Sequence, residues 1–202
     1  MIDATGFITA GGRSSRMGTD KAWLELGGRP MIEHVIAALE PVTARIAILA
    51  KGPRYERLGF PVFADSKSGI GPLEAIRTAL SHADTTRIVL VGCDLPFVTP
   101  ELFKMLLGIA GEDYLIVPVS AEGKLEPLCA IYTTNALTAV TELIAQGHRK
   151  ISLLFERVPT RLVAFDELSH LAGSDRFFEN VNSPEDYARV CEAFRSRGSQ
   201  KP

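Results

Sequence analysis

Short apolar runs alternate with amphipathic segments along almost the whole chain. The runs that we expect to be strands are 5–9, 45–50, 61–64, 87–92, 114–119, 125–132 and 160–165. A run that is apolar at nearly every position, such as RIVLV within 87–92, is typical of a parallel strand covered on both faces. Strands that alternate with helices indicate an α/β fold with a mainly parallel sheet.

The predicted helices begin at prolines, which suit the first turn of a helix because the N–H that proline lacks has no partner there. The four prolines in this position are Pro30, Pro72, Pro100 and Pro184. Thr99 and Ser183 precede two of them and are candidate N-caps. A further helix is predicted over 134–146, with Gly147 as its terminator.

Composition and charge narrow the class of protein. The chain has 202 residues, of which 46% are hydrophobic, so we expect one domain over 1–202 with a disordered tail at 197–202. A formal net charge of -2 gives no basic field, so we expect neither nucleic acid nor an acidic membrane as a partner. Without an apolar stretch of about 18 residues or a signal-like N-terminus, we expect a cytoplasmic protein. Cys93, Cys129 and Cys191 lack metal-site spacing and are expected to be reduced thiols.

A glycine-rich loop with positive charge follows the first predicted strand, within FITAGGRSSRMGTDKAWLEL at 7–26. Gly11 and Gly12 allow backbone N–H groups to approach an anion closely, and Arg13, Arg16 and Lys21 add side-chain charge. A polyphosphate is the expected ligand, and a solvated basic loop is the alternative. Neither G-x-x-x-x-G-K-[ST] nor G-x-G-x-x-G is present, so this is neither a Walker loop nor a dinucleotide fingerprint.

The stretch AGGRSSRMGTDKAWLELGGRPMIEHV resembles the signature of the MobA-like nucleotidyltransferases, L-A-G-G-x-S-x-R-M-G-x-D-K. Further segments resemble that family in order: ADSKSGIGPLEAI, VGCDLPFVTPEL, EPLCAIY, GHRKISLLFE and FENVNSPEDYA. The resemblance implies a three-layer α/β/α Rossmann-like nucleotidyltransferase fold. Thr9 stands where the signature has leucine, and GPLEAI replaces G-P-L-A-G-I, which brings Glu74 and Ala75 near the expected nucleotide.

The resemblance also implies which residues bind the nucleotide. Arg16 and Lys21 would contact the triphosphate and oppose the charge that builds as pyrophosphate leaves. The expected nucleotide-binding set is Thr9, Ala10, Gly11, Gly12, Lys21, Asp65, Gly71, Pro72, Leu73 and Asp94. In the family a double glycine accompanies GTP and A-A-G accompanies cytidylyl transfer, so Gly11 favours guanine.

Asp94 is the leading candidate ligand for Mg²⁺. It follows a strand expected to be buried, and Mg²⁺ prefers carboxylate and phosphate oxygens while it keeps several waters. An aspartate in a turn before Pro96 is the alternative. Asn182 resembles the second metal-side residue of related enzymes, but NVNSPED is equally a helix entry capped by Ser183 and Asp186.

The elements that fall where the family binds its acceptor contain Glu126, Arg149, Lys150 and Asn180. For Arg149 and Lys150 a charged helix start is the alternative reading. The implied partners are GTP, molybdopterin, and either other proteins of molybdenum cofactor synthesis or molybdoenzymes that accept the product.

The reaction that the resemblance implies is attack by the terminal phosphate of molybdopterin on the α-phosphorus of GTP. Three other functions stay open: molybdopterin cytidylyl transfer, sugar-phosphate nucleotidylyl transfer, and GTP binding without catalysis. Gly11 argues against the first, the short chain against the second, and Lys21 together with Asp94 against the third.

Overall fold

A computed structural model describes residues 3–11, 20–64, 71–109 and 114–198 of the chain. The strands are β1 (Ala4–Thr9), β2 (Glu25–Leu26), β3 (Arg29–Pro30), β4 (Arg45–Leu49), β5 (Val62–Phe63), β6 (Arg87–Gly92), β7 (Leu115–Pro118), β8 (Cys129–Thr133) and β9 (Thr160–Val163). The helices are α1 (Met31–Leu39), α2 (Pro72–Ser81), α3 (Pro100–Gly108), α4 (Ala136–Ala145), α5 (Ser152–Arg157), α6 (Phe165–Leu168) and α7 (Pro184–Gly198). Short 3-10 helices cover Lys21–Trp23, Tyr55–Leu58 and Ser174–Arg176.

The main sheet has the strand order β5-β4-β1-β6-β8-β7-β9 within the described ranges. Strand β8 is antiparallel to both of its neighbours, β6 and β7, while every other pair is parallel. Six strands therefore point the same way, and their carboxyl ends meet at one edge, which is where open α/β sheets bind ligands. The predicted α/β fold with a mainly parallel sheet is confirmed.

The sheet separates two apolar layers. Consecutive residues of a strand face opposite sides, so Phe7 packs in one layer and Ile8 in the other. Helices α1 and α3 cover the Ile8 side, and α2, α4 and α5 cover the Phe7 side. Both faces are therefore buried against helices, as the continuous apolar runs predicted.

The proline rule held at three of its four positions. Pro72, Pro100 and Pro184 begin helices, and the Thr99 hydroxyl accepts from the Leu102 N–H at 3.3 Å. The prediction that a helix starts at Pro30 is wrong by one residue, because Pro30 has an extended ψ of 141° and pairs with Glu25 in β3.

Helix α4 is shorter than predicted but ends where expected. It closes at Gly147, which has a φ of +80°. The N–H groups of Gly147 and His148 bond to the carbonyls of Ile144 and Leu143, each at 3.0 Å, in the pattern of a Schellman motif.

Two segments differ more from their prediction. The run 125–132 enters the main sheet only at Cys129, because Leu125 instead forms an isolated bridge with Val119. Helix α7 extends to Gly198, so residues 197 and 198 are helical, although we expected them in a disordered tail. Among the described helices, none combines the length and the apolar character that crossing a membrane requires.

A small hairpin of β2 and β3 was not predicted. Its turn is formed by Gly27 and Gly28, with φ values of +56° and +82°, and two consecutive left-handed residues suit a tight hairpin turn. Leu26 of this hairpin packs with Phe97, Val181 and Val190. The hairpin therefore supports the segment that leads into α7, which carries one of the candidate metal ligands.

Candidate active site

The candidate site lies where β1 and β6 end side by side. Thr9 is paired with Gly92 in register, and the Cys93 N–H donates to the Thr9 carbonyl at 3.0 Å. The segments after these two strands therefore leave the same edge of the sheet together. One leads through Ala10 into the glycine-rich loop, and the other leads directly to Asp94.

Lys21 joins three chain segments at this edge. Its ammonium donates to Asp94 Oδ2 at 3.3 Å, to the Val181 carbonyl at 3.1 Å and to Asn182 Oδ1 at 2.7 Å. The side chains of Lys21 and Asp94 are 19% and 23% exposed, so the pair is partly shielded from water. The structure thus brings together the expected phosphate lysine and both expected metal ligands.

Asp94 is held by its backbone and by its neighbour Gly92. The Asp94 carbonyl accepts from the Val181 N–H at 3.0 Å, which fixes the segment before α7 against the end of β6. A Cβ atom added at Gly92 would lie 2.5 Å from Asp94 Oδ1, which is closer than any normal contact. Glycine at position 92 therefore leaves the space that this carboxylate occupies.

The contacts around the start of α7 show what the backbone and the side chain of Asn182 each bond to. The Ser183 hydroxyl accepts from the Asp186 N–H at 3.1 Å, and Asp186 Oδ2 accepts from the N–H groups of Asn182 and Ser183 at 3.1 and 3.0 Å. These backbone donors, led by that of Asn182, lower the pKa of Asp186. Because Ser183 and Asp186 cap the helix, the Asn182 side chain is directed to Lys21 instead.

Glu126 lies in the turn before β8 and is half-buried. Burial raises the pKa of its carboxyl to about 7, and the charges of Glu122 and Asp94 add to the effect. Because Val91 pairs with Cys129 and the Gly92 N–H donates to the Leu128 carbonyl at 2.8 Å, the turn with Glu126 lies at the same edge of the sheet as Asp94. Near neutral pH this carboxyl is therefore partly protonated.

The other residues expected to bind the acceptor are not gathered around Lys21 among the contacts that the structure describes. Arg149 and Lys150 are exposed in the turn between α4 and α5, and the helix predicted to start there begins only at Ser152. The Asn180 amide donates to the Phe178 carbonyl at 3.3 Å, which is a contact within its own segment.

Among the expected nucleotide-binding residues, those at the end of β1 bond to neighbouring strands through their backbone. Thr9 and Ala10 are half-buried, and their backbone groups bond to Cys93 and Leu49. Gly11 has a φ of +74°, a conformation that favours glycine. Gly12, Arg16 and Asp65 lie outside the described residues.

Gly71 and Pro72 begin α2, but the side chains that follow them are turned into the protein. Leu73 is fully buried in the core, so only its backbone is available to a nucleotide. Glu74 is 1% exposed and pairs with Arg77 at 2.6 Å. The expectation that Glu74 lies near the nucleotide stays a prediction, and its carboxylate is buried in a pair with Arg77 of the same helix.

Sequence reasoning missed Tyr55. Its hydroxyl donates to Asp20 Oδ2 at 2.6 Å, and Asp20 Oδ1 accepts from the Ala22 N–H at 3.2 Å. Burial raises the pKa of Tyr55 well above its usual range, and the bond to Asp20 raises it further. A lone tyrosine in a polar segment carries no signal in a single sequence, whereas Asp20 belongs to the recognised signature.

The chemistry available here is that of oxygen donors and one ammonium. No group of three His, Cys, Asp or Glu side chains forms a metal cluster in the ranges that the structure describes. Cys93 and Cys129 are buried free thiols, and burial raises the pKa of both. Carboxylate, amide and carbonyl oxygens suit a hard cation that keeps part of its water shell.

Comparison with known proteins identifies the family. Residues 6–160 match the model of the MobA-like NTP transferase domain. A protein of Carboxydothermus hydrogenoformans named "Probable molybdenum cofactor guanylyltransferase" is 34% identical over 96% of this chain and 98% of its own. The molybdenum cofactor guanylyltransferase of Vibrio parahaemolyticus is 36% identical over 90% of this chain and 92% of its own.

A solved structure gives the same result in three dimensions. The molybdopterin-guanine dinucleotide biosynthesis protein A of Archaeoglobus fulgidus superposes with a TM-score of 0.79 at 26% identity, over 95% of this chain and 99% of that one. Sequence and fold agree, and the chain belongs to the MobA-like NTP transferase family.

Proposed function

We propose that the protein transfers GMP from GTP to the terminal phosphate of molybdopterin, releases pyrophosphate and forms molybdopterin guanine dinucleotide. The observation that carries the proposal is the convergence of Lys21, Asp94 and Asn182 at the carboxyl edge of the sheet. Relatives at 34% and 36% identity are named for guanylyl transfer to the molybdenum cofactor, which supports this substrate pair.

Nucleotidyl transfer in this family uses a divalent metal ion, and we propose Mg²⁺. The residues fit such an ion, because the Lys21 ammonium is already surrounded by three oxygen atoms, from Asp94, Val181 and Asn182. Asp94 and Asn182 would hold the ion. When bound, Mg²⁺ orients phosphate oxygens and neutralises their charge.

In the proposed reaction a phosphate oxygen of the acceptor forms a bond to the α-phosphorus of GTP, and the bond from that phosphorus to the β-phosphate bridging oxygen breaks. The departing pyrophosphate takes the electron pair. The acceptor needs no general base, since a phosphomonoester carries about -1.5 to -2 charge at pH 7. The protein contributes position and charge, with Lys21 and Arg16 opposing the negative charge of the phosphates.

For base choice we propose GTP over CTP, because Gly11 belongs to the double glycine that accompanies GTP in the family. We propose that the acceptor is bound by Glu126, Arg149, Lys150 and Asn180. Helix α4 and strand β9 both begin at the amino edge of the sheet. The turn after α4, which carries Arg149 and Lys150, therefore lies towards the carboxyl edge, where the site is. Cytoplasmic cofactor-synthesis proteins or acceptor molybdoenzymes would receive the product.

The test is to incubate the protein with molybdopterin, Mg²⁺ and each of the four nucleoside triphosphates, and to follow pyrophosphate release and the chromatogram of the products. We expect pyrophosphate and a dinucleotide with GTP. The Asp94→Asn variant controls for contaminating hydrolases. Equal rates with CTP would contradict the base assignment, and GTP binding without pyrophosphate release would support a noncatalytic GTP-binding protein instead.

A further inference from the structure

Tyr55 lies near Gly11 and Asp20, the two described residues on either side of 12–19. Its hydroxyl bonds to Asp20, the residue that follows the loop, at 2.6 Å. At the other end, a Cβ atom added to Gly11 would lie 3.7 Å from the same hydroxyl. Tyr55 comes from a different part of the chain, the 3-10 helix Tyr55–Leu58 that follows β4.

The surroundings fix this tyrosine firmly. Tyr55 is 1% exposed, and its ring centroid lies 5.7 Å from that of Trp23 in the 3-10 helix Lys21–Trp23. The Arg54 guanidinium covers the Trp23 ring at 4.5 Å. Because the phenol has a raised pKa, it stays a hydrogen-bond donor throughout the working range of pH.

Asp20 passes this constraint to Lys21. One of its carboxylate oxygens accepts from Tyr55, and the other caps the 3-10 helix through the Ala22 N–H at 3.2 Å. Lys21 is the first residue of that helix, and its side chain reaches Asp94 and Asn182. The contacts therefore form one path from Tyr55 through Asp20 to the groups at the site.

We propose that Tyr55 is a positioning residue of the transferase site, and that its hydroxyl fixes Asp20 and so the backbone from which Lys21 reaches Asp94 and the phosphates. The proposal rests on the function proposed above, in which Lys21 contacts the phosphates. The effect of Tyr55 on Lys21 can nevertheless be tested without substrate. Among the described contacts, the Tyr55 hydroxyl bonds to Asp20 and not to Lys21 or Asp94, so its effect on the reaction passes through Asp20.

The experiment compares Tyr55→Phe, Asp20→Asn and the double variant with the unchanged protein. Phenylalanine keeps the ring that packs against Trp23 and removes only the hydroxyl. Asparagine replaces one of the two carboxylate oxygens by an NH2 donor, so in this geometry it loses either the bond from Tyr55 or the bond from Ala22. The matched control is Thr5→Val, which removes a buried hydroxyl that bonds Thr85 at 2.9 Å at the opposite edge of the sheet.

The first measurement uses nucleotide-free protein and follows reductive methylation of Lys21 by mass spectrometry. We expect Tyr55→Phe to speed labelling of Lys21 on the order of 10-fold, the change expected when a hydrogen bond to a charged group is lost. Thr5→Val should label at the original rate. A Tyr55→Phe protein that melts at lower temperature but labels Lys21 at the original rate would overturn the proposal.

The second measurement follows pyrophosphate release. We expect Tyr55→Phe to lower kcat by about 10- to 100-fold with little change in KM for GTP, because small misplacement of a positioned group costs turnover of this size. The double variant should lose no more turnover than the more impaired of the two single variants. Additive losses would contradict action through Asp20. If Tyr55→Phe does not fold, Asp20→Asn tests the same contact in both measurements. If the unchanged protein releases no pyrophosphate, the proposed function fails while the labelling result still decides the role of Tyr55.

Discussion

The two ends of the parallel strands carry polar groups of similar kinds but arrange them differently. At the amino edge several polar groups form separate local pairs: the buried hydroxyls of Thr5 and Thr85 lie 2.9 Å apart, and the exposed Arg45 pairs with the exposed Asp84. At the carboxyl edge one ammonium, that of Lys21, is shared among three oxygen acceptors.

We interpret this difference as one between polar groups that stabilise the fold and polar groups that can bind a ligand. The Thr5–Thr85 and Arg45–Asp84 contacts at the amino edge are separate from each other, so each contributes to stability on its own. At the carboxyl edge, Asp94 Oδ2, the Val181 carbonyl and Asn182 Oδ1 converge on the ammonium of Lys21. Such an excess of acceptors attracts a cation, and a cation held there can in turn attract phosphate.

Asp94→Asn should break the comparison most strongly. Asparagine keeps the shape of the side chain but removes the charge that would hold the metal, so turnover should fall on the order of 100- to 1,000-fold. The melting temperature should change little, since a partly exposed ion pair is worth less than about 1 kcal/mol. Pyrophosphate release, GTP titration and a thermal melt provide the three measurements.

The matched control is Asp84→Asn, the same substitution in the ion pair of the amino edge. It should leave turnover unchanged. Comparable losses of turnover in both variants would show that the two edges do not differ in function. A collapsed melt for Asp94→Asn would favour a structural turn over a metal ligand.

Lys21→Met tests whether the ammonium stands where the divalent ion would bind. Removing it frees three oxygen acceptors, so nucleotide-free protein should bind Mn²⁺ on the order of 10-fold more tightly, as titration with electron paramagnetic resonance would measure. Turnover should nevertheless fall, because the phosphates lose a positive partner. Lys104→Met, in an exposed pair with Glu101 at 3.8 Å, makes the same change of net charge elsewhere. Identical Mn²⁺ affinity in all three proteins would contradict the prediction.

Glu126→Gln should change how stability depends on pH. The folded-state pKa of about 7 lies above the ordinary value of 4.5, so the folded protein binds the extra proton and this contribution to stability is complete below about pH 4.5. It is lost as pH rises through about 7, and solvent around a half-buried group limits it to about 1 kcal/mol. Melts between pH 4.5 and 8 should show this loss in the unchanged protein and not in the variant. Parallel curves would show that Glu126 has an ordinary pKa.

The sequence predicted the sheet well because its strands are buried on both faces and therefore carry long apolar runs. It also predicted where Asp94 lies, since a carboxylate directly after a parallel strand comes at the carboxyl edge of the sheet, while its role as a metal ligand stays a prediction. The hairpin at Gly27 and Gly28 could have been predicted from the glycine pair between two short runs, a known turn signal.

Other features of the site depend on contacts that no local pattern contains. Lys21 and Asn182 are separated by 161 positions and meet only because the segment before α7 returns to the end of β6. Tyr55 and Leu73 are two further positions whose contacts could not be predicted from the local sequence. Tyr55 gave no signal yet contacts the signature through Asp20, and Leu73 belongs to a recognised motif yet is turned into the core.

Thr5→Val should have the smallest effect, because it changes a contact at the amino edge, far from the site. Valine has the shape of threonine without its hydroxyl, so the variant loses the 2.9 Å bond between Thr5 and Thr85. Thr85 keeps its other bond, to the Arg87 carbonyl at 2.7 Å, so its hydroxyl still has a partner in the variant. The cost should be about 1 kcal/mol, or a melting temperature lower by about 2–4 °C, with turnover unchanged. A loss of turnover beyond about twofold at this edge would mean that the pairing of β1 with β6 transmits strain to Asp94, because Thr5 lies in the strand that ends beside it.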